Sequence, residues 1–223
     1  MHVPAHLVPN WILAIAGIAV LLSLGLAVAR AQWSALSQQP WRMHLVAGGA
    51  VACLLLWLLN IHLVDGLVLH FLGVTTLSLL VGWSFSVLGA SFAVVGLYAL
   101  QGLDWTAYPL SVLLCVLLPA TTTRILARLL YRPSLKHPFV YILGAGFAGG
   151  GLVMLLLALA ALLLFWSSGL HSYLDNVREF WPLLFLLMFS EGFINGMCVT
   201  AFAIFYPNWM KTFDDQFYFD DER

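Results

Sequence analysis

The chain opens Met1-His2-Val3-Pro4, and a histidine at position two has a particular chemistry. The free amino group of Met1, the deprotonated amide of His2 and the His2 imidazole close adjacent chelate rings in one plane. A further imidazole completes a square-planar four-nitrogen site, a geometry that suits Ni(II) or Cu(II) and can be imposed on Co(II). Pro4 has no amide N–H and limits how far backbone chelation extends. A histidine at position two is common enough to be coincidence, so the reading depends on where a fourth ligand comes from.

A candidate stands in the segment Asn60-Ile61-His62-Leu63-Val64-Asp65-Gly66-Leu67-Val68-Leu69-His70. A polar turn there separates two apolar runs and delivers His70 near the start of the second. An ionisable side chain at membrane depth is costly and marks a site or a partner. The competing reading is a histidine bonded to a neighbouring carbonyl.

The elements that must position these groups follow from composition. Of 223 residues, 62% are apolar and 9% are charged, against about 25% charged in ordinary globular proteins. Such a chain cannot cover a water-soluble surface, and the reading is an all-α integral membrane protein. Nine Lys and Arg balance ten Asp and Glu, which excludes a basic nucleic-acid binder. Cys53, Cys115 and Cys198 fall in separate apolar runs without C-x-x-C spacing and read as core residues.

A spanning helix needs about 20 mostly apolar residues. Seven segments qualify, two of them short: 11–30, 44–64, 67–83, 84–101, 107–131, 139–166 and 181–206. Residues 1–210 form one transmembrane domain and 211–223 an acidic cytoplasmic tail, solvated and without assigned chemistry. Tryptophans 11, 33, 41, 83, 105, 166, 181 and 209 cluster at span ends, as an interfacial aromatic belt requires. Pro119 is expected to kink the fifth span, with Thr121, Thr122 and Thr123 near the freed carbonyls.

With seven spans, one side collects Arg30, Arg42, Arg124, Arg128, Arg132, Lys136, Lys211 and Arg223, and the other only Arg178. That bias puts the N-terminus outside and the C-terminus in the cytoplasm, in a multi-pass inner (plasma) membrane protein. Residues 1–30 lack a positive n-region and a small-residue cleavage site, so they read as a retained span. In this topology His2, His6, His62, His70 and His171 lie on the outer side, and His44 and His137 on the cytoplasmic side.

Other features carry less. Gly144-Ala145-Gly146-Phe147-Ala148-Gly149 matches G-x-G-x-x-G, but inside an apolar run and with no acidic residue about 20 positions on. Glycines four apart, Gly146 and Gly150, instead suit close helix packing in lipid. Glu191 lies near the middle of the last span with Asn195 one turn later, either as a functional carboxylate or as a hydrogen-bonded tie. Arg124, Arg128 and Arg132 align on one helix face, for snorkelling and topology or for docking a coupling subunit. There is no G-x-x-x-x-G-K-[ST] and hence no ATP site of that type; H-E-x-x-H and G-x-S-x-G are also absent, which weakens a hydrolase reading, and the chain is expected not to be an enzyme.

Taken together, these residues resemble the metal-binding membrane subunits of energy-coupling-factor transporters for cobalt and nickel, the CbiM/NikM family. Those proteins begin Met-His and carry a segment like N-F-P-V-x-G-G-T-S-G-H-L-L-G-G, followed by a span ending L-L-G-P. Here Asn60 stands ten residues before His70, His70-Phe71-Leu72-Gly73 matches H-L-L-G, and Gly82 matches the glycine of L-L-G-P. Leu100-Gln101-Gly102-Leu103 is similar to the turn after the family's fourth span. The chain departs from the pattern at Leu67-Val68-Leu69 (T-S-G in the family), at Trp83 (proline), and at Tyr108-Pro109-Leu110-Ser111, where L-G-x-N-x-x-N-M is missing.

The resemblance implies a Co2+ or Ni2+ substrate, with Cu2+ also compatible, bound by the Met1 amine, the His2 amide and imidazole, and His70. It also implies a separate coupling membrane subunit and ABC ATPases as partners. Asn60, His62 and Asp65 are polar groups at the same mouth, as a supporting shell or an entry funnel. Two rivals stand beside this reading: a membrane redox protein holding haem between histidines such as His44, His62 and His70, and a divergent accessory membrane protein that has lost transport.

Overall fold

A computed structural model describes residues 3–64, 67–132, 135–170, 181–214 and 217–218. Its surface is apolar and its interior partly polar, the pattern of a bundle solvated by lipid. Leu21, Leu22, Phe92 and Phe205 are about 70% exposed, whereas Glu191, Asn195, Thr75, Ser86 and Thr123 are buried. A water-soluble fold would reverse that arrangement.

Among the described residues six helices are long and apolar enough to cross a membrane. These are α1 (Asn10–Arg30), α3 (Trp41–Leu58), α5 (Trp83–Gln101), α6 (Trp105–Leu130), α7 (Pro138–Ser167) and α8 (Trp181–Phe205). A short helix α2 (Trp33–Gln38) lies between α1 and α3. Trp11, Trp33, Trp105 and Trp166 are exposed, as the aromatic belt requires.

The stretch expected to supply a seventh helix, 67–83, is built differently. An antiparallel hairpin of β1 (Asn60–Val64) and β2 (Leu67–His70) leads into α4 (Val74–Val81), only eight residues long. A short apolar run does not distinguish helix from strand by periodicity, and Gly73, at φ +66°, separates the two. The third expected span is thus corrected: the described residues hold six full-length helices, plus a crossing made of a hairpin and a half-length helix. Residues 60–64, expected at the end of the second span, belong to the hairpin.

That crossing still runs through the bundle. Its middle bonds to Glu191 in the centre of α8, and its end lies beside the C-terminal tail, where Lys211 N–H donates to Leu80 O at 2.8 Å. α4 is packed by α3, α5, α6, α7 and α8. Non-helical backbone at this depth is tolerated where protein rather than lipid surrounds it; His70 and Leu72 are both buried.

Pro119 is accommodated by a wide π turn over Leu113–Leu117 before it, a device that removes the clash with the preceding turn. Thr121 Oγ1 accepts from Trp83 Nε1, and Thr123 reaches Thr75, so both threonines tie helices together. Gly146, Gly150, Gly192 and Gly196 do pack α7 closely on α8. A Cβ at Gly192 would stand 2.6 Å from Phe147 O.

The described part of 211–223 is docked, where a solvated end is expected. Thr212 donates to Leu79 O at 2.9 Å and pairs with the Tyr141 hydroxyl at 2.6 Å, and Phe213 and Tyr218 are buried against Leu79, Leu80 and Tyr141. Burial pushes the Tyr218 phenol up to about 12. The aromatic residues bury while the charged ones between them mask that tendency in the sequence.

Candidate functional site

His70 ends β2, directly across the hairpin from Asn60. Its Nδ1 lies 3.1 Å from Phe71 O and its ring packs on Trp57, centroids 5.7 Å apart. The contact to a neighbouring carbonyl is the second of the two sequence readings of this histidine. One ring nitrogen is oriented by a carbonyl, which is also how ligating histidines are aimed.

The residues that follow His70 are fixed from two sides. Trp57 Nε1, from α3, donates to Leu72 O at 3.1 Å. From α8, Glu191 takes the Leu72 N–H on Oε2 at 2.8 Å and the Gly73 N–H on Oε1 at 2.9 Å. Those amides precede the first turn of α4, so the carboxylate caps a helix N-terminus where the dipole favours negative charge. Asn195 extends the clamp: its Nδ2 donates to Glu191 Oε1 at 2.8 Å, and its Oδ1 accepts from Thr76 N–H and Oγ1. The donors to the Glu191 carboxylate are thus N–H groups of Leu72, Gly73 and Asn195.

Gly73 is required at its position for two reasons. At φ +66° a side chain is strained, and a Cβ would come 2.8 Å from Leu56 Cδ1. Gly73→Ala is accordingly expected to cost about 2 kcal/mol, read as a lower thermal midpoint in detergent. An unchanged midpoint would contradict the packing described.

The N-terminal segment enters the same core. Val3 is 2% exposed and belongs to one buried apolar cluster with Leu72, Leu110, Val153 and Phe165. Pro4 begins a single turn over Ala5–Leu7, closed by Leu7 N–H to Pro4 O at 3.1 Å, which leads into α1. Met1, His2 and Asp65 lie outside the described residues, as does His171. His62 is seen only through its backbone, paired with Val68. Asn60 donates its amide to Trp57 O at 3.4 Å. Among the described residues no three His, Cys, Asp or Glu side chains gather as a metal cluster.

The tie between Glu191 and Asn195 that the sequence suggests is present, but the sequence reading assigns neither their main-chain partners nor the roles of Trp57 and Thr76. Trp57 had a signal: it sits inside an apolar run, away from the span ends where the other tryptophans cluster. His44 is far from this region. Thirteen residues of α3 separate it from Trp57, about 20 Å at 1.5 Å per residue, so His44 and His70 cannot share a haem iron.

The family model for the cobalt uptake substrate-specific transmembrane region matches residues 2–209. Among solved structures, the crystal structure of a transition metal transporter superposes with a TM-score of 0.71 at 18% identity. That match covers 91% of this chain and 92% of the other. A truncated transition metal transporter gives a TM-score of 0.70 at 18% identity, covering 91% of this chain and 98% of its own. At that identity the likeness is one of fold. No curated relative matches the chain.

Proposed function

The chain belongs to the CbiM family of cobalt uptake substrate-specific transmembrane regions, and from that premise we propose that it captures Co(II) or Ni(II) with Met1, His2 and His70. It is a multi-pass inner-membrane component of a metal-uptake system and not an enzyme. In the proposed site the Met1 amine, the deprotonated His2 amide and the His2 imidazole supply three nitrogens, and His70 the fourth. The N-terminus faces outside.

The observation that carries this reading is the rigid placement of His70. A buried imidazole sits on a non-helical turn at membrane depth, and the backbone that follows it is clamped by a carboxylate and an indole from two different helices. So much polar structure inside a membrane bundle is expensive and serves a site. The burial of Val3 beside Leu72 in one cluster supports delivery of His2 to the same region. Ordering of Met1 and His2 around the ion would then distinguish loaded from empty subunit. Asn60, His62 and Asp65 are proposed as its polar surround.

Binding at an amine and a deprotonated amide releases protons, so affinity rises with pH. The sequence lacks a P-loop motif, and ATP hydrolysis is assigned to separate ABC ATPases acting through a coupling membrane subunit. The test is uptake of radiolabelled Co(II) and Ni(II) by cells producing the chain with those partners. Accumulation above background, lost in His70→Ala, is expected; equal accumulation by that variant would overturn the site.

A further inference from the structure

A cavity of about 500 Å³ opens at the end of the bundle remote from His70. We propose that it binds the headgroup of an anionic phospholipid, with the phosphate held among arginines. Five cations line it: Arg30 after the last turn of α1's apolar run, Arg42 at the start of α3, Arg124 and Arg128 one turn apart on α6, and Lys211 beyond α8. No acidic residue is among the described lining. Asp214, the carboxylate bonded to the lining residue Tyr131, accepts from that hydroxyl and from Phe217 N–H and does not itself line the cavity.

Among the described residues no carboxylate pairs with these cations, and three of them are held by neutral groups. The Arg124 guanidinium lies 5.3 Å from the Trp83 ring centroid, and that of Arg42 lies 5.3 Å from Trp41. Arg42 Nε also donates to Gln39 Oε1, and Lys211 Nζ to Gln32 Oε1 at 2.8 Å. Arg124 remains within electrostatic reach of Arg128 and Arg30. Membrane topology alone is satisfied by basic side chains that spread into water. Convergence from four separate segments onto one concavity brings like charges together, which is unfavourable until an anion joins them.

The walls select the kind of anion. Beside the cations and a few polar side chains such as Gln32, Ser84 and Thr123, the lining has an apolar side of Leu45, Val46, Leu80 and Phe85, and it includes the interfacial tryptophans Trp83 and Trp209. A soluble anion has no use for that apolar side. A phospholipid does, because its phosphate meets the arginines while the first methylenes of its chains lie on the leucines. Basic pockets between helices at a membrane face hold acidic headgroups on these terms.

The full chain, purified in mild detergent, would be analysed by native mass spectrometry after exchange into equal phosphatidylglycerol and phosphatidylcholine. Its thermal midpoint would also be measured in phosphatidylcholine nanodiscs with and without 30% phosphatidylglycerol. The wild type should retain phosphatidylglycerol preferentially and gain several degrees from it. Arg42→Gln/Arg124→Gln should retain at least ten-fold less. Because those side chains are half-buried, Arg30→Gln/Lys211→Gln, at exposed positions, provides a second variant with the fold undisturbed. Arg132→Gln/Lys136→Gln, outside the lining, should behave as wild type. Equal retention by both cavity variants, or equal loss in the Arg132/Lys136 variant, would overturn the site. Inorganic phosphate reproducing the whole stabilisation in phosphatidylcholine would overturn the lipid assignment.

Discussion

A short extension ahead of Met1, such as Ser-Gly-Ser-Gly, is expected to abolish high-affinity Co(II) or Ni(II) binding while the bundle folds as before. The extension turns the Met1 nitrogen from an amine into a peptide amide and removes one ligand. It also separates the new terminal amine from His2 by too many bonds to close the same rings. A single added residue would be a poorer test, because it places the histidine third and creates a different planar chelate of its own. Removal of an outer partner at a metal site costs about 10–100-fold in affinity, so loss of a ligand should exceed 100-fold in a calorimetric titration. The thermal midpoint of the metal-free protein should stay within a degree or two, since position 1 precedes the first residue of the buried cluster, Val3. Undiminished affinity in the extended chain would remove the amine from the site.

Replacement of Glu191 should have the largest effect on stability. In Glu191→Ala the Leu72 and Gly73 amides lose their acceptor inside the bundle, and the Asn195 amide loses one of two partners. At about 1–3 kcal/mol for each of the two orphaned backbone donors, the loss amounts to roughly 2–6 kcal/mol. Metal affinity should fall as well, because the turn that aims His70 is no longer fixed. Glu191→Gln keeps the shape but turns an NH2 towards at least one of those donors, so it should lie between wild type and Glu191→Ala in both thermal midpoint and metal titration. A Glu191→Ala protein as stable as wild type would show that the clamp carries no load.

These two residues show what a sequence can and cannot disclose here. Long apolar runs mark helices such as α1, α5 and α7 because only a helix satisfies its own backbone over 20 residues of hydrocarbon. The stretch 67–83 has similar composition but is a hairpin and a half-length helix. Its backbone groups are satisfied by α3 and α8, at separations of 15 and 119 residues that no local pattern encodes. His70 was legible because an imidazole at depth needs a reason. Glu191 was legible for the same cause, yet its role was not, since its partners are main-chain amides and any residue types would supply them.

The basic residues illustrate a similar limit. Their bias to one side of the membrane is readable by counting. That five of them turn inward on one cavity depends on helix rotation and on Trp41, Trp83 and Gln32 as supports. The tail misled for the opposite reason. Its carboxylates dominate the composition, while Phe213 and Tyr218 determine where it packs.

The central claim, capture of one transition-metal ion by Met1, His2 and His70, is tested most directly by metal analysis. The protein with its native N-terminus would be loaded with Co(II) or Ni(II), desalted and measured beside His2→Ala and His70→Ala. Roughly one ion per chain is expected in the wild type and near none in either variant. Full occupancy in both variants, or no retained ion in the wild type with either metal, would contradict it.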